Sequence, residues 1–200
     1  MVRAQVRREH ASRRLSREEF LSSLDLKVHL TRVQGPGDFR FPRAFELLNK
    51  TNQFNTTGRR WTTEEIVHGL ATGMEIYAFD VADTYTKYGL VGVVIVSGTT
   101  VEQFVMSCRV VGLDVELAVV AVLGRRLGGL PVRRIRAVVR ETGVNLLARD
   151  LWPRCGFTAG WTIGKLWRRT LLTSRRILKL SASLTSLSWP EQSQMADTAA

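Results

Sequence analysis

Residues 49–57 read Asn-Lys-Thr-Asn-Gln-Phe-Asn-Thr-Thr, a dense run of amides and hydroxyls around one phenylalanine. Such side chains both donate and accept hydrogen bonds. Asn52, Gln53 and Asn55 could hold an acyl group or a chain of amides, with Asn49 at the start of the run. The same residue types also close turns on their own backbone, and that reading stands beside the first. Further along, Ser107 and Cys108 form a nucleophile-like pair beside the turn Arg109-x-x-Gly112. Thioester transfer there would need a polarised carbonyl, an activated nucleophile and a group to protonate the leaving thiolate. Backbone N–H groups near Ser107 could meet the first need, but no base stands at a fixed spacing. The alternative is that Cys108 is a buried structural thiol, and these are inert. His10, His29 and His68 are scattered and no Cys-x-x-Cys pair exists, so no metal site is expected. Two cysteines, Cys108 and Cys155, without export features read as free thiols rather than a disulfide framework.

The chain has 200 residues, 44% of them hydrophobic, enough for one domain with a sizeable core and tails. Its formal charge of +11 favours acidic partners: nucleic acid, anionic lipid or an acidic protein. The basic residues fall in blocks at 3–17, 125–140 and 165–179, each of which also reads as a plain solvated face. A nucleic-acid role would rest on charge alone, since no reading helix or stacking platform is recognisable. No apolar run approaches the roughly 18 residues a membrane span needs. The N-terminus lacks the apolar core of a secretory signal, so a cytoplasmic location is expected.

Positioning these residues requires a mixed α/β scaffold. Ser16 and Glu19 have capping-box spacing before an apolar stripe, which predicts a helix over 17–24. Leu26, Val28 and Leu30 alternate with polar residues as a half-buried strand does, and this puts His29 on the polar face. A helix over 42–50 and another opened by the Thr62/Glu65 capping box lead to strands at 75–79, 90–96 and 103–108. After the Arg109–Gly112 turn come a helix over 114–127, a strand over 132–139 and a last helix over 145–154. The order predicts an α/β (α+β) fold, one mixed central β-sheet flanked by helices. Residues 1–25 read as a basic helical linker and 26–160 as the domain. The rest, 161–200, reads as a basic amphipathic helix over 165–180 with a flexible tail. Such a helix packs on its own domain, docks on a partner or, less in keeping with the sequence, touches a membrane surface.

Two stretches resemble the GNAT acetyltransferase superfamily. The strand, Arg109-x-x-Gly112 turn and following helix resemble its Arg/Gln-x-x-Gly-x-Gly/Ala turn, which holds the pyrophosphate of coenzyme A on N–H groups at a helix start. Asn145, followed by Trp152 and Gly156-Phe157, resembles its Asn-led helix ending in Tyr-x-x-x-Gly-Phe. The resemblance implies a GNAT-like fold, with Arg109, Gly112 and Asn145 as cofactor contacts. It also implies a pantetheine arm between the strand near Cys108 and the strand near Val138. Two positions depart from the pattern. Asp114 stands where the turn has its second Gly/Ala, and its carboxylate would either repel a phosphate or cap its own helix. Trp152 replaces a Tyr that protonates the leaving thiolate; indole cannot do so, and packing against Phe157 is its expected role.

The stretches 49–55, 59–62, 88–92 and 107–110 together resemble the FkbH-like family, as does 16–21, over about residues 1–160. That family joins a haloacid-dehalogenase-like domain to a GNAT-like one and loads a glyceryl unit onto an acyl carrier protein in polyketide-type biosynthesis. The resemblance implies the GNAT-like part alone, since no Asp-x-Asp-x-Thr/Asn motif is present; Asp80-Val81-Ala82-Asp83-Thr84 has the wrong spacing. It implies an acyltransferase acting on an acyl or glyceryl thioester carried by coenzyme A or a carrier protein's phosphopantetheine. Asn52, Ser107 and Cys108 would be catalytic, and Asn49, Gln53 and Asn55 would bind substrate. A haloacid-dehalogenase-like protein could complete the enzyme in trans. The alternatives are a non-catalytic carrier-protein docking module and a truncated remnant of such an enzyme.

Overall fold

The structure, a computed structural model, describes residues 15–128, 134–160 and 166–170. Helix α1 (Arg17–Ser23) opens on the expected capping box: the Ser16 hydroxyl accepts from the Glu19 N–H while the Glu19 carboxylate accepts from the Ser16 N–H. Strand β1 (Lys27–Val33) buries Val28, Leu30 and Val33 and leaves His29 exposed, as its alternation requires. Helices α2 (Phe41–Lys50) and α3 (Thr63–Ala71) follow, α3 under the second capping box, Thr62 with Glu65. Strands β2 (Met74–Ala82), β3 (Lys87–Ser97) and β4 (Thr100–Met106) run antiparallel in turn. A 3₁₀ turn (Cys108–Val110) leads to α4 (Val115–Gly128), and β5 (Arg134–Val138) then runs parallel to β4. A 3₁₀ turn (Leu146–Ala148), the short helix α5 (Leu151–Arg154), β6 (Thr158–Gly160) and β7 (Leu166–Thr170) complete the described chain.

The sheet order is β1-β2-β3-β4-β5-β7-β6. Its two faces separate by the period of two. Ile76 and Ala78 meet Leu47, Leu48 and Ile66 of α2 and α3 on one side. Tyr77 and Phe79 join Val119 and Leu123 of α4 and Trp152 of α5 on the other.

Three sequence expectations are corrected here. The strand placed at 103–108 ends at Met106, so Ser107 and Cys108 lie in the turn beyond it. The single helix over 145–154 is instead a 3₁₀ turn and one turn of α-helix. Pro153 has no N–H to continue a helical ladder, and the Asn145 side chain is bonded to its neighbours' backbone. Lastly, Leu166–Thr170 is a strand and not the start of an amphipathic helix. It pairs with all five residues of β5, whose outer edge would otherwise be open. The remainder of the expected helix, its tail and residues 1–14 lie outside the described residues.

Candidate functional site

Parallel strands β4 and β5 are paired only where β4 begins, Thr100 opposite Arg136 and Val101 opposite Ala137. Beyond that they part, and the amide-rich segment lies in the opening. Thr56 N–H donates to the Phe104 carbonyl (3.0 Å) and Met106 N–H to the Phe54 carbonyl (2.9 Å), setting Asn55 opposite Val105 as in an antiparallel ladder. The Thr56 hydroxyl accepts from Phe104 N–H (2.9 Å). On the segment's other side Arg140 N–H donates to the Thr56 carbonyl (2.8 Å). Residues 54–57 are all buried, with Phe54 tilted against Phe104 at 5.8 Å between centroids.

Asn145 and Asn55 hold this inserted segment. Fully buried Asn145 donates from Nδ2 to the carbonyls of Asn55 and Arg140, each at 2.9 Å, and accepts from Thr142 N–H at 2.8 Å. Asn55 Oδ1 accepts from the backbone of Thr57 and Gly58 and from Gln103 Nε2, while its Nδ2 donates to the Thr51 carbonyl. Gln103 in turn accepts from Trp61 Nε1, and Asn49 brackets the Trp61 backbone by donating to its carbonyl and accepting from its N–H. Asn52 accepts from Arg60 at the surface. Of the amides expected to meet substrate, Asn49 and Asn55 are therefore committed to the chain itself, and Gln53 is exposed, with no side-chain bond among the described residues. Asn145, expected as a cofactor contact, is likewise consumed internally. Sequence reasoning missed Gln103, Thr56 and Trp61, which have no local signature because their partners are far away in the chain.

Ser107 accepts from the N–H and Nε of Arg109, each at 3.4 Å, and so caps the 3₁₀ turn. Cys108 is exposed, a correction to the reading of a buried thiol, and Cys155 is the buried one. Arg109 and Gly112 are also exposed, and Gly112 takes a φ of 85° that glycine tolerates best.

Asp114, itself at φ 57°, does not cap its helix; its carboxylate accepts from Arg17 Nη2 and Arg154 Nη2, both at 2.9 Å. Arg154 Nη1 also donates to buried Glu116 at 2.9 Å. Two carboxylates and two guanidiniums thus stand together at the start of α4. Burial pushes the Glu116 pKa above the ordinary 4.5, outweighing its own backbone amide and Arg154. Between 4.5 and that raised value the folded chain binds more protons than the unfolded one, so stability falls as pH rises through the window. Glu116→Gln is expected to remove that fall. Melting temperatures measured from about pH 4 to pH 8 should show wild type losing ground to the variant as pH rises; parallel curves would contradict this.

Trp152 is wholly buried against Phe157 (5.1 Å between centroids), the packing role expected of it. Its Nε1 has no hydrogen-bond partner among the described residues. Among the described residues no cluster of three His, Cys, Asp or Glu could hold a metal, and no helix is long and apolar enough to cross a membrane.

No family model and no curated protein sequence matches the chain. Solved structures do resemble it in fold. A domain from Methanocaldococcus jannaschii DSM 2661 superposes with a TM-score of 0.55 at 15% identity, covering 73% of this chain and 99% of that one. A proposed acetyltransferase of Acinetobacter baylyi ADP1 gives 0.50 at 14% identity, over 73% and 94%. A proposed GNAT-family acetyltransferase of Desulfovibrio desulfuricans gives 0.49 at 14%, over 72% and 99%. The chain shares the α/β fold of the first two of these structures, a mixed sheet flanked by helices. Its parted β4 and β5 are the strands between which the resemblance would place a pantetheine arm, and here residues 54–57 lie in that opening, bonded to residues 104–106 of β4. The residues present do not fit coenzyme A in that position.

Proposed function

We propose that this chain is the GNAT-like part of an FkbH-like protein and serves an acyl carrier protein as a docking module, without coenzyme-A-dependent acyl transfer of its own. The observation that carries the proposal is the 54–57 segment on the open edge of β4. Removing it would break several hydrogen bonds worth about 1 kcal/mol each and expose Phe54, for a total of about 5 kcal/mol. A ligand that had to displace it would bind more weakly by about three to four powers of ten. The Asp114 carboxylate works against a pyrophosphate, and Trp152 offers no acid. The formal charge of +11 suits the acidic faces of carrier proteins. A haloacid-dehalogenase-like protein acting in trans would supply the phosphatase chemistry.

Calorimetric titration separates the readings. Micromolar binding of a pantetheinylated carrier protein with no heat from coenzyme A is the expected outcome. Micromolar binding of coenzyme A would sink the docking reading. Exposed Cys108 favours one second reading, acyl transfer at the end of β4 by Asn52, Ser107 and Cys108. Thioester turnover that disappears in Cys108→Ser would establish it.

A further inference from the structure

The β3–β4 ladder slips by one residue near its hairpin. Ile95 stands opposite Gln103 and Val96 opposite Val101, so Glu102 has no partner across the pair. A bulge of this kind leaves the extra residue outside the ladder and re-aims its side chain. Glu102 lines an open cleft of about 550 Å³ between α3 and the β3–β4 hairpin. Arg59, Trp61, Glu65 and His68 line it on the side of α3 and the loop before it, and Ser97 lines it at the hairpin. A cleft of this volume holds a small molecule.

The charges in the cleft select the ligand. Its lining holds one arginine, Arg59, against two glutamates, Glu65 and Glu102. Arg59 is already paired: Nη2 donates to Glu65 at 3.1 Å, and its Cζ lies 3.5 Å from the Trp61 ring centroid. Glu102 is half-buried and makes no hydrogen bond or ion pair among the described residues. Burial pushes its pKa above the ordinary 4.5, and the more distant charges of Arg59 and Arg136 do not offset that. A chain of formal charge +11 thus keeps an uncompensated carboxylate in this cleft, which favours a cation and disfavours an anion. Both oxygens of that carboxylate are open to accept, and a guanidinium offers two parallel N–H donors to match them. It is also more weakly hydrated than an ammonium, so it gives up less on entering a half-buried position. Arg59 itself shows that a guanidinium fits here between the Trp61 ring and a carboxylate.

We propose that this cleft binds a small molecule bearing a guanidinium group, which Glu102 holds through a two-bond pair. The site lies at the hairpin end of β4, whereas Ser107 and Cys108 follow its other end. It stands independently of the carrier-binding reading above.

The test is titration of the isotope-labelled full chain with butylguanidinium at neutral pH and constant ionic strength, followed by amide and indole chemical shifts. Wild type should saturate with a Kd of about 1 mM or tighter, as suits so small a ligand. The shifts should centre on Glu102, Ser97 and the Trp61 indole. Glu102→Gln keeps the shape and removes the charge. No bond holds that carboxylate in the free chain, so the melting temperature should not fall, while the Kd should rise by about tenfold or more. Glu64→Gln, on α3 but outside the cleft, should bind as wild type does. Butylammonium should bind about fivefold more weakly than butylguanidinium, or worse. No saturable shifts in wild type would overturn the site, as would shifts scattered over surface carboxylates and unchanged in Glu102→Gln. Equal affinity for butylammonium would overturn the choice of a guanidinium. Should Glu102→Gln not fold, the place of the shifts in wild type decides the matter alone.

Discussion

Asn145→Ala is expected to cost the fold about 3 kcal/mol, because it strands the buried Asn55 carbonyl together with the part-buried Arg140 carbonyl and Thr142 N–H in one step. Domains of this size are stable by about 5–15 kcal/mol, so the loss would be a large share of the total. Asn145→Asp should be at least as damaging, since it turns an oxygen toward both carbonyls. Urea unfolding gives the magnitude, and amide exchange gives the place. The Arg140 and Thr56 amides, which bond across the opening, should exchange faster than those of β2 and β3. A loss below about 1 kcal/mol would mean that water replaces the amide readily and that Asn145 is not what holds the segment.

Gly92→Ala should be the second severe change. Gly92 lies in the interior of β3 opposite Phe79, and a Cβ there would fall 1.9 Å from Phe79 Cζ and 2.3 Å from Cε1. The ring cannot swing away, for Phe79 is wholly buried and packs on Phe104 at 5.6 Å. Overpacking of this kind is expected to cost about 3 kcal/mol, or to keep the protein from accumulating. The cause is separable from a general intolerance of strand substitutions by a second variant. Phe79→Leu alone opens a small void and is destabilising. Combined with Gly92→Ala it should restore more than about 1.5 kcal/mol relative to the sum of the two single effects. Strict additivity would place the fault in the backbone at Gly92 and not in the ring.

The features that proved legible from sequence are the local ones. Ser16 with Glu19, and Thr62 with Glu65, announce helix starts because the bonds they make span three residues. The alternation of β1 follows from the period of a strand, and the sheet flanked by helices follows from the order of the elements. The site was far less legible. Asn145 reaches a carbonyl 90 positions away, Thr56 meets Phe104 across 48, and Asp114 meets Arg17 across 97 and Arg154 across 40. Nothing in a run of asparagines distinguishes amides presented to a ligand from amides that fasten their own segment, because both uses need the same donors and acceptors. The exposure of Cys108 turned on where β4 stops, and a shift of two residues moved it from strand to turn. The misread start of the C-terminal helix has a similar origin. Leucine, tryptophan and arginine at 166–169 suit a helix by spacing, but the open edge of β5 decided otherwise.

The inserted segment also imposes an order of assembly. Its first side can seat as soon as β4 exists, since the Phe54 carbonyl and the Thr56 N–H and hydroxyl bond to residues 104–106. Its second side must wait for Arg140 and Asn145, a much larger loop to close. A nascent chain that has emerged only as far as α4 would thus hold a strand with one flank unsatisfied. The last 3₁₀ turn would act as the latch that ends this vulnerable interval, and a slowed or interrupted synthesis past residue 128 would expose the growing protein to pairing with its neighbours.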